Sequence, residues 1–215
     1  MIAVVDYGVG NLFSLMAALR LCGADAELTA QPEDIETASH VILPGVGAFG
    51  DAAARLRESG LWQPLLKKAA SGAPMLGICL GMQLLFARSF EYGEHAGLAL
   101  IPGDVVPLVD QVQPGTKVPH IGWNALTLRT NPGALFAHTP QGTHVYFVHS
   151  FAAQMGPYVT ATAEYSVPVP AAVMHNNVMG CQFHPEKSGA AGLTILKDFL
   201  LYRTSEETHR WGEDF

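Results

Sequence analysis

The sequence predicts an α/β domain: an open, mostly parallel sheet with helices on both faces, joined in its second half by short antiparallel strands. Three observations predict it. Short apolar runs alternate with helix-length segments through the first half, which is the pattern of repeated βαβ units. Near Gly97 the texture changes to short strands punctuated by Pro and Gly. The 215 residues are 49% hydrophobic, enough for one sizeable core with no second domain required.

The first apolar runs, residues 2–5, 26–29, 41–43 and 75–78, are too short for helices and read as strands. A strand apolar at every position is buried on both faces, as in a covered parallel sheet. Residues 11–22, 51–70 and 81–86 lie between or after them and are long enough to be the connecting helices. Beyond Gly97 the expected strands are 103–108, 124–128, 144–148, 158–163, 171–175 and 178–183. Asn176-Asn177 separates the last two and marks a hairpin, because Asn tolerates the positive φ of a tight turn. Residues 189–202 close the domain as a helix with Leu193, Leu196, Phe199 and Leu200 at helical spacing. The domain is expected over 1–202, with 203–215 a mobile charged tail.

Composition excludes several classes of function. Net charge is −7 without a Lys/Arg cluster, which argues against a nucleic-acid partner. No apolar stretch reaches the ~20 residues of a membrane span, and Met1 to Asp6 lacks a basic leader, so a cytoplasmic protein is expected. Three scattered cysteines, Cys22, Cys79 and Cys181, make neither a disulfide framework nor a zinc site. No metal and no cofactor is expected. Gly8-Val9-Gly10 begins like a dinucleotide fingerprint, but Phe13 occupies the third glycine position and no acidic residue follows at the right strand end.

Gly77-Ile78-Cys79-Leu80-Gly81 carries the chemistry. A cysteine flanked by glycines two residues away on each side, directly after a predicted strand, has the spacing of a nucleophile elbow, with small neighbours that let substrate reach the thiol. A buried strand ending in Gly is the plain alternative. A thiol nucleophile needs a base, and the base an orienting group. His184-Pro185-Glu186 supplies both: Pro185 pushes His184 toward extended backbone, and residues two apart in such a segment project to the same side. Both segments fall at strand C-termini, where open α/β sheets bind ligands. The N–H of Leu80 is the expected first oxyanion donor. A second comes from Pro44-Gly45-Val46-Gly47, unless that is an ordinary Gly/Pro turn.

Residues 41–50 (Val-Ile-Leu-Pro-Gly-Val-Gly-Ala-Phe-Gly), 77–83 (Gly-Ile-Cys-Leu-Gly-Met-Gln) and 182–188 (Gln-Phe-His-Pro-Glu-Lys-Ser), in that order, resemble the class I (triad) glutamine amidotransferases. Residues 6–11, 118–124 and 146–151 narrow the resemblance to the family of glutaminase subunits of imidazole glycerol phosphate synthases, from histidine biosynthesis. It spans about residues 1–202 and implies a flavodoxin-like fold. It implies Cys79 as the nucleophile on the glutamine side-chain amide, His184 as base and then acid, and Glu186 as its orienter. Val46 and Leu80 would form the oxyanion hole, and Gly47, Gln83, His149, Ser150 and the backbone of Phe151 would hold glutamine. It further implies a heterodimer with a (β/α)8-barrel cyclase subunit that receives the ammonia through an internal channel. Asn11, His120, Trp123, Tyr146 and Lys187 fall at or near that docking face, although Trp123 as core filler is an equal reading of the sequence. Phe151 stands where the family has Tyr. Competing readings are a stand-alone γ-glutamyl hydrolase and a non-catalytic binding subunit on the same fold.

Overall fold

The protein is described here by a computed structural model covering residues 1–203; the tail expected to be mobile lies, apart from Arg203, outside the described residues. The first half runs β1 (Ile2–Val5), α1 (Leu12–Leu21), β2 (Ala26–Thr29), α2 (Pro32–Thr37), β3 (His40–Gly45), α3 (Phe49–Glu58), α4 (Trp62–Ala70), β4 (Met75–Cys79) and α5 (Leu80–Leu84). The second half runs β5 (Phe86–Ser89), β6 (His95–Ala96), β7 (Ile101–Pro107), β8 (His120–Leu128), β9 (His144–His149), β10 (Phe151–Ala153), β11 (Val159–Glu164), β12 (Pro168–His175), β13 (Val178–Cys181) and α6 (Gly189–Leu201).

Nine strands form one sheet in the order β2-β1-β3-β4-β13-β12-β11-β8-β9, and β10-β7-β5-β6 form a second. From β2 to β13 every pairing is parallel. From β13 to β9 every pairing is antiparallel. The alternation along β1 shows why the chain folds so: Ala3 and Val5 join the core beneath α3 and α4, while Ile2 and Val4 join the core beneath α1 and α6. Successive side chains of a strand face opposite ways, so an unbroken apolar run feeds two cores.

The structure corrects the sequence reading at several elements; β8 begins at His120 rather than at 124, and β12 at Pro168 rather than at 171. Residues 51–70 form two helices, because Gly60 takes φ +78° just after the end of α3, a left-handed cap that stops a helix. The helix expected over 81–86 is α5, and Phe86 already opens β5. The strand expected over 178–183 ends as β13 at Cys181. The Asn176-Asn177 hairpin is present: His175 pairs with Val178 across it, and Asn176 takes φ +55°.

Candidate active site

The parallel pairing assembles the site. β4 lies between β3 and β13, with Gly45 beside Cys79 on one side and Cys181 beside Ile78 on the other. The loop after β3 and the segment after β13 therefore converge on the residue that ends β4.

That residue, Cys79, has φ +54° and ψ −112°, and α5 begins at the next position. A non-glycine residue with positive φ costs of order 1–3 kcal/mol and persists only where the surroundings impose it. Packing is what imposes it here. A Cβ on Gly81 would lie 1.8 Å from the Leu43 carbonyl oxygen, and one on Gly77 would lie 2.6 Å from that of Gly81. The flanking glycines thus serve the close approach of the elbow to itself and to β3, rather than substrate access as the spacing alone suggested. Leu80 opens α5, so its N–H has no carbonyl partner one turn back and is free to act as a donor.

His184 Nδ1 and Glu186 Oε1 are 2.8 Å apart, and both side chains are 3% exposed. His184 itself is extended, while Pro185–Lys187 form a 3-10 turn that folds the carboxylate back onto the imidazole. α6 comes close enough to support this turn because Gly192 lies where a Cβ would meet the Pro185 carbonyl at 1.9 Å. Burial pulls the His184 pKa down, but hydrogen-bonding interaction with Cys79 and Glu186 and their negative charge outweigh it and raise it to about 9. Glu186 supplies the formed bond. His184 Nε2 has no partner of normal hydrogen-bond geometry, so Cys79 acts on it at close range without a completed bond. Cys181, the second thiol near the site, is wholly buried, and burial raises its pKa well above normal.

Cys79 and His184 open into a cavity of about 290 Å³ that is also lined by Val46, Gly47, Leu80, Gln83, His149, Ser150 and Phe151. Every residue expected at the oxyanion hole or on glutamine is therefore brought to one place. The volume is at the small end of ligand pockets, roughly 300–1,000 Å³, and suits an amino acid better than a nucleotide. Gly47 takes φ +96°, a conformation the loop after β3 needs to turn in over the thiol. Tyr7, unused in the sequence reading, steadies this loop: its buried hydroxyl donates to the Pro44 carbonyl at 2.8 Å.

Glu91 is the pocket residue the sequence did not disclose. Among the described residues it is the one carboxylate lining the cavity, and its Oε2 accepts from the Phe49 N–H at 2.6 Å. No spacing signals it, because it sits in the turn after β5 and reaches α3 across 42 positions.

The docking-face residues divide. Trp123 is 57% exposed, which removes the core-filler reading, and its ring meets that of Tyr146 edge to face at 6.1 Å. Lys187 Nζ lies 5.9 Å from the Tyr146 ring centroid, and Asn11 lines a small cleft with His184 and Glu186. His120 differs from these in being 3% exposed, stacked between Phe147 and Tyr165, and bonded to His149, because it shares the inward side of β8 while Ile121 and Trp123 are exposed. It lies under the face and not on it.

Among the described residues, no three His, Cys, Asp or Glu side chains converge as metal ligands. No helix among them is long and apolar enough to cross a membrane.

Comparison with known proteins agrees with this geometry. The family described as "Glutamine amidotransferase class-I" matches residues 3–202. A protein of Lacticaseibacillus casei is 51% identical over 211 residues, covering 98% of this chain and 100% of its own length. One of Moorella thermoacetica is 48% identical over 200 residues, covering 92% and 93%. Both carry the name imidazole glycerol phosphate synthase subunit HisH. In fold, the chain is similar to a crystal structure of a glutamine amidotransferase, with a TM-score of 0.72 at 20% identity over 92% of this chain and 96% of that one. PurLQS from Thermotoga maritima gives a TM-score of 0.72 at 20% identity, covering 93% and 96%.

Proposed function

The chain belongs to the class I glutamine amidotransferases, and from that premise we propose that it is the glutaminase subunit of an imidazole glycerol phosphate synthase, releasing ammonia from glutamine for a barrel-shaped cyclase partner. The observation that carries this reading is the strained Cys79 facing the pocket beside the His184–Glu186 pair.

In this mechanism the glutamine side chain enters the pocket with its amide carbon over Cys79. The thiol proton passes to His184, and an imidazolium beside the sulfur stabilises the thiolate. Sulfur attacks the amide carbon, a C–S bond forms, and the carbonyl oxygen becomes an oxyanion that the Val46 and Leu80 N–H groups face. His184, held protonated by Glu186, gives its proton to the nitrogen, and the C–N bond breaks to release ammonia. Water, losing a proton to His184, then cleaves the γ-glutamyl thioester to glutamate. Glu91 provides the negative charge that an α-ammonium group requires, while Gln83, His149, Ser150 and the Phe151 backbone line the rest of the site.

The cyclase subunit docks against the rim where Trp123, Tyr146 and Lys187 stand, so ammonia moves to the cyclase without entering solvent. The cyclase uses it to form imidazole glycerol phosphate and an aminoimidazole carboxamide ribotide, in the cytoplasm. The test is glutamate release by the purified chain, alone and with the cyclase subunit and its ligand. Low activity alone and strong activation by the partner are expected. Cys79→Ala abolishes turnover in both cases, by about 10⁴-fold or more. Full activity without the partner would indicate a stand-alone hydrolase instead.

A further inference from the structure

Gln182 is completely buried two residues before His184, and its side-chain amide is spent on the site. Its Oε1 accepts from Gln83 Nε2 at 3.0 Å, and its Nε2 donates to Cys79 Sγ at 3.7 Å. A buried amide is costly unless hydrogen-bonded, so a position that needed only filling would suit an apolar side chain better. We infer that Gln182 is a further catalytic residue of the glutaminase reaction, one that favours the Cys79 thiolate through an N–H···S hydrogen bond whose direction is set by Gln83.

The direction decides the chemistry. An amide oxygen facing sulfur would favour the thiol, whereas an N–H favours the thiolate, because a hydrogen bond to the charged form stabilises it. Which end faces sulfur is fixed from outside. The Phe151 carbonyl can only accept, so Gln83 must present its NH2 group there, at 3.0 Å. The second N–H of that group points at Gln182, which must answer with its oxygen, leaving its nitrogen for Cys79.

The same Phe151 carbonyl accepts from His149 Nδ1 at 2.9 Å. His149 Nε2 must then accept, and His120 Nδ1 donates to it at 3.1 Å. Burial lowers the pKa of His149 to about 3 and that of His120 to about 4, so both stay neutral and the proton order holds at neutral pH. Sulfur has one opposing partner, the Val148 carbonyl at 3.9 Å, which can accept only from the thiol. The titratable groups that face or surround this sulfur are His184 and Glu186 after β13, Cys181 on β13, Tyr7 beyond β1, and His149 and Glu91 on the walls of the pocket.

The inference rests on the glutaminase reading only for the identity of the substrate; the property itself belongs to the thiol. It is tested on the full chain, without glutamine or partner, by following iodoacetamide alkylation of the Cys79 peptide by mass spectrometry across pH. Gln182→Met removes the donor at similar volume. It is expected to move the alkylation midpoint up by about one pH unit, slowing reaction about tenfold at pH values well below the parent midpoint, while the high-pH plateau stays within about twofold of the parent. Gln182→Glu, isosteric and unable to donate when ionised, moves the midpoint at least as far and carries the same readout if the Met variant does not fold. A midpoint within about 0.2 units of the parent in a folded variant, or a plateau that falls with the rate at pH 7, assigns Gln182 to packing and overturns the inference. Failure of the parent chain to turn over glutamine with the cyclase, with the alkylation shift intact, would instead remove the assigned substrate.

Discussion

The two halves of the large sheet do different work. The parallel half, β2 through β13, ends in the groups proposed to react: Cys79 tops β4, the proposed oxyanion loop follows β3, and His184 follows β13. The antiparallel half, with β8 and β9 at its edge, carries the residues proposed for recognition: His149 ends β9, Ser150 and Phe151 follow it, and Trp123 stands exposed on β8 beside Tyr146. Parallel strands covered on both faces cannot vary side chains freely, and this is where angstrom-level placement of sulfur and imidazole is needed. An antiparallel edge can leave one side bare for a partner. Under the proposed function the chain keeps its chemistry in its least tolerant region and its association in its most tolerant one.

That contrast can be broken by experiment. Gly81→Ala, in the parallel half, places a methyl against the Leu43 carbonyl with no room to relax. It is expected to cost about 3 kcal/mol and to lower the melting temperature by roughly 6–12 °C, measured by calorimetry. A fall of under about 2 °C would show that this half is more yielding than its packing implies.

A smaller effect follows from His184. Its folded pKa of about 9 lies above the ordinary 6.5, so the stability it contributes is complete below pH 6.5 and is lost as pH rises through 9. Urea midpoints at pH 6.5 and 9.5 are expected to show the parent chain losing about 2 kcal/mol more than Glu186→Gln, in which the ion pair is gone. Equal losses would mean that the pair does not hold the proton.

Trp123→Ala, in the antiparallel half, is expected to change the stability of the free chain by under about 0.5 kcal/mol while weakening cyclase binding at least about tenfold. Isothermal titration and a melt on the same sample separate the two. A large loss of stability would place Trp123 with the structural residues after all.

How much of this was legible depends on whether a feature is local. β1 and β3 were readable because their apolar runs are short and unbroken, and the elbow because its two glycines and cysteine lie within five residues. His184 and Glu186 were readable as a pair because they lie two residues apart, but a 3-10 turn over Pro185–Lys187, and not the extended segment expected, brings them together. Glu91 was not, since its role depends on a turn meeting the start of α3 across the sequence. Gln182 lay inside a motif that was noticed, but the partner that gives its amide a direction is Gln83, 99 positions away. α2 has six residues and buries only Ile35, too little for any periodicity to register. The two-residue strand β6 is in the same position. The burial of His120 was not legible, because the side of β8 it occupies is settled by the register with β9, which no single strand reveals.

The glycines around Cys79 have one more consequence. Gly81 against the Leu43 carbonyl, Gly77 against Gly81, and Gly45 against Gly81 and Tyr7 are contacts at which a Cβ would have no space. Steric walls of this kind are neither screened by salt nor weakened by cooling, unlike charge pairs and apolar attraction. The location of the sulfur is consequently set by volume exclusion, and its alignment should stay constant across ionic strengths and temperatures that measurably change the stability of everything around it.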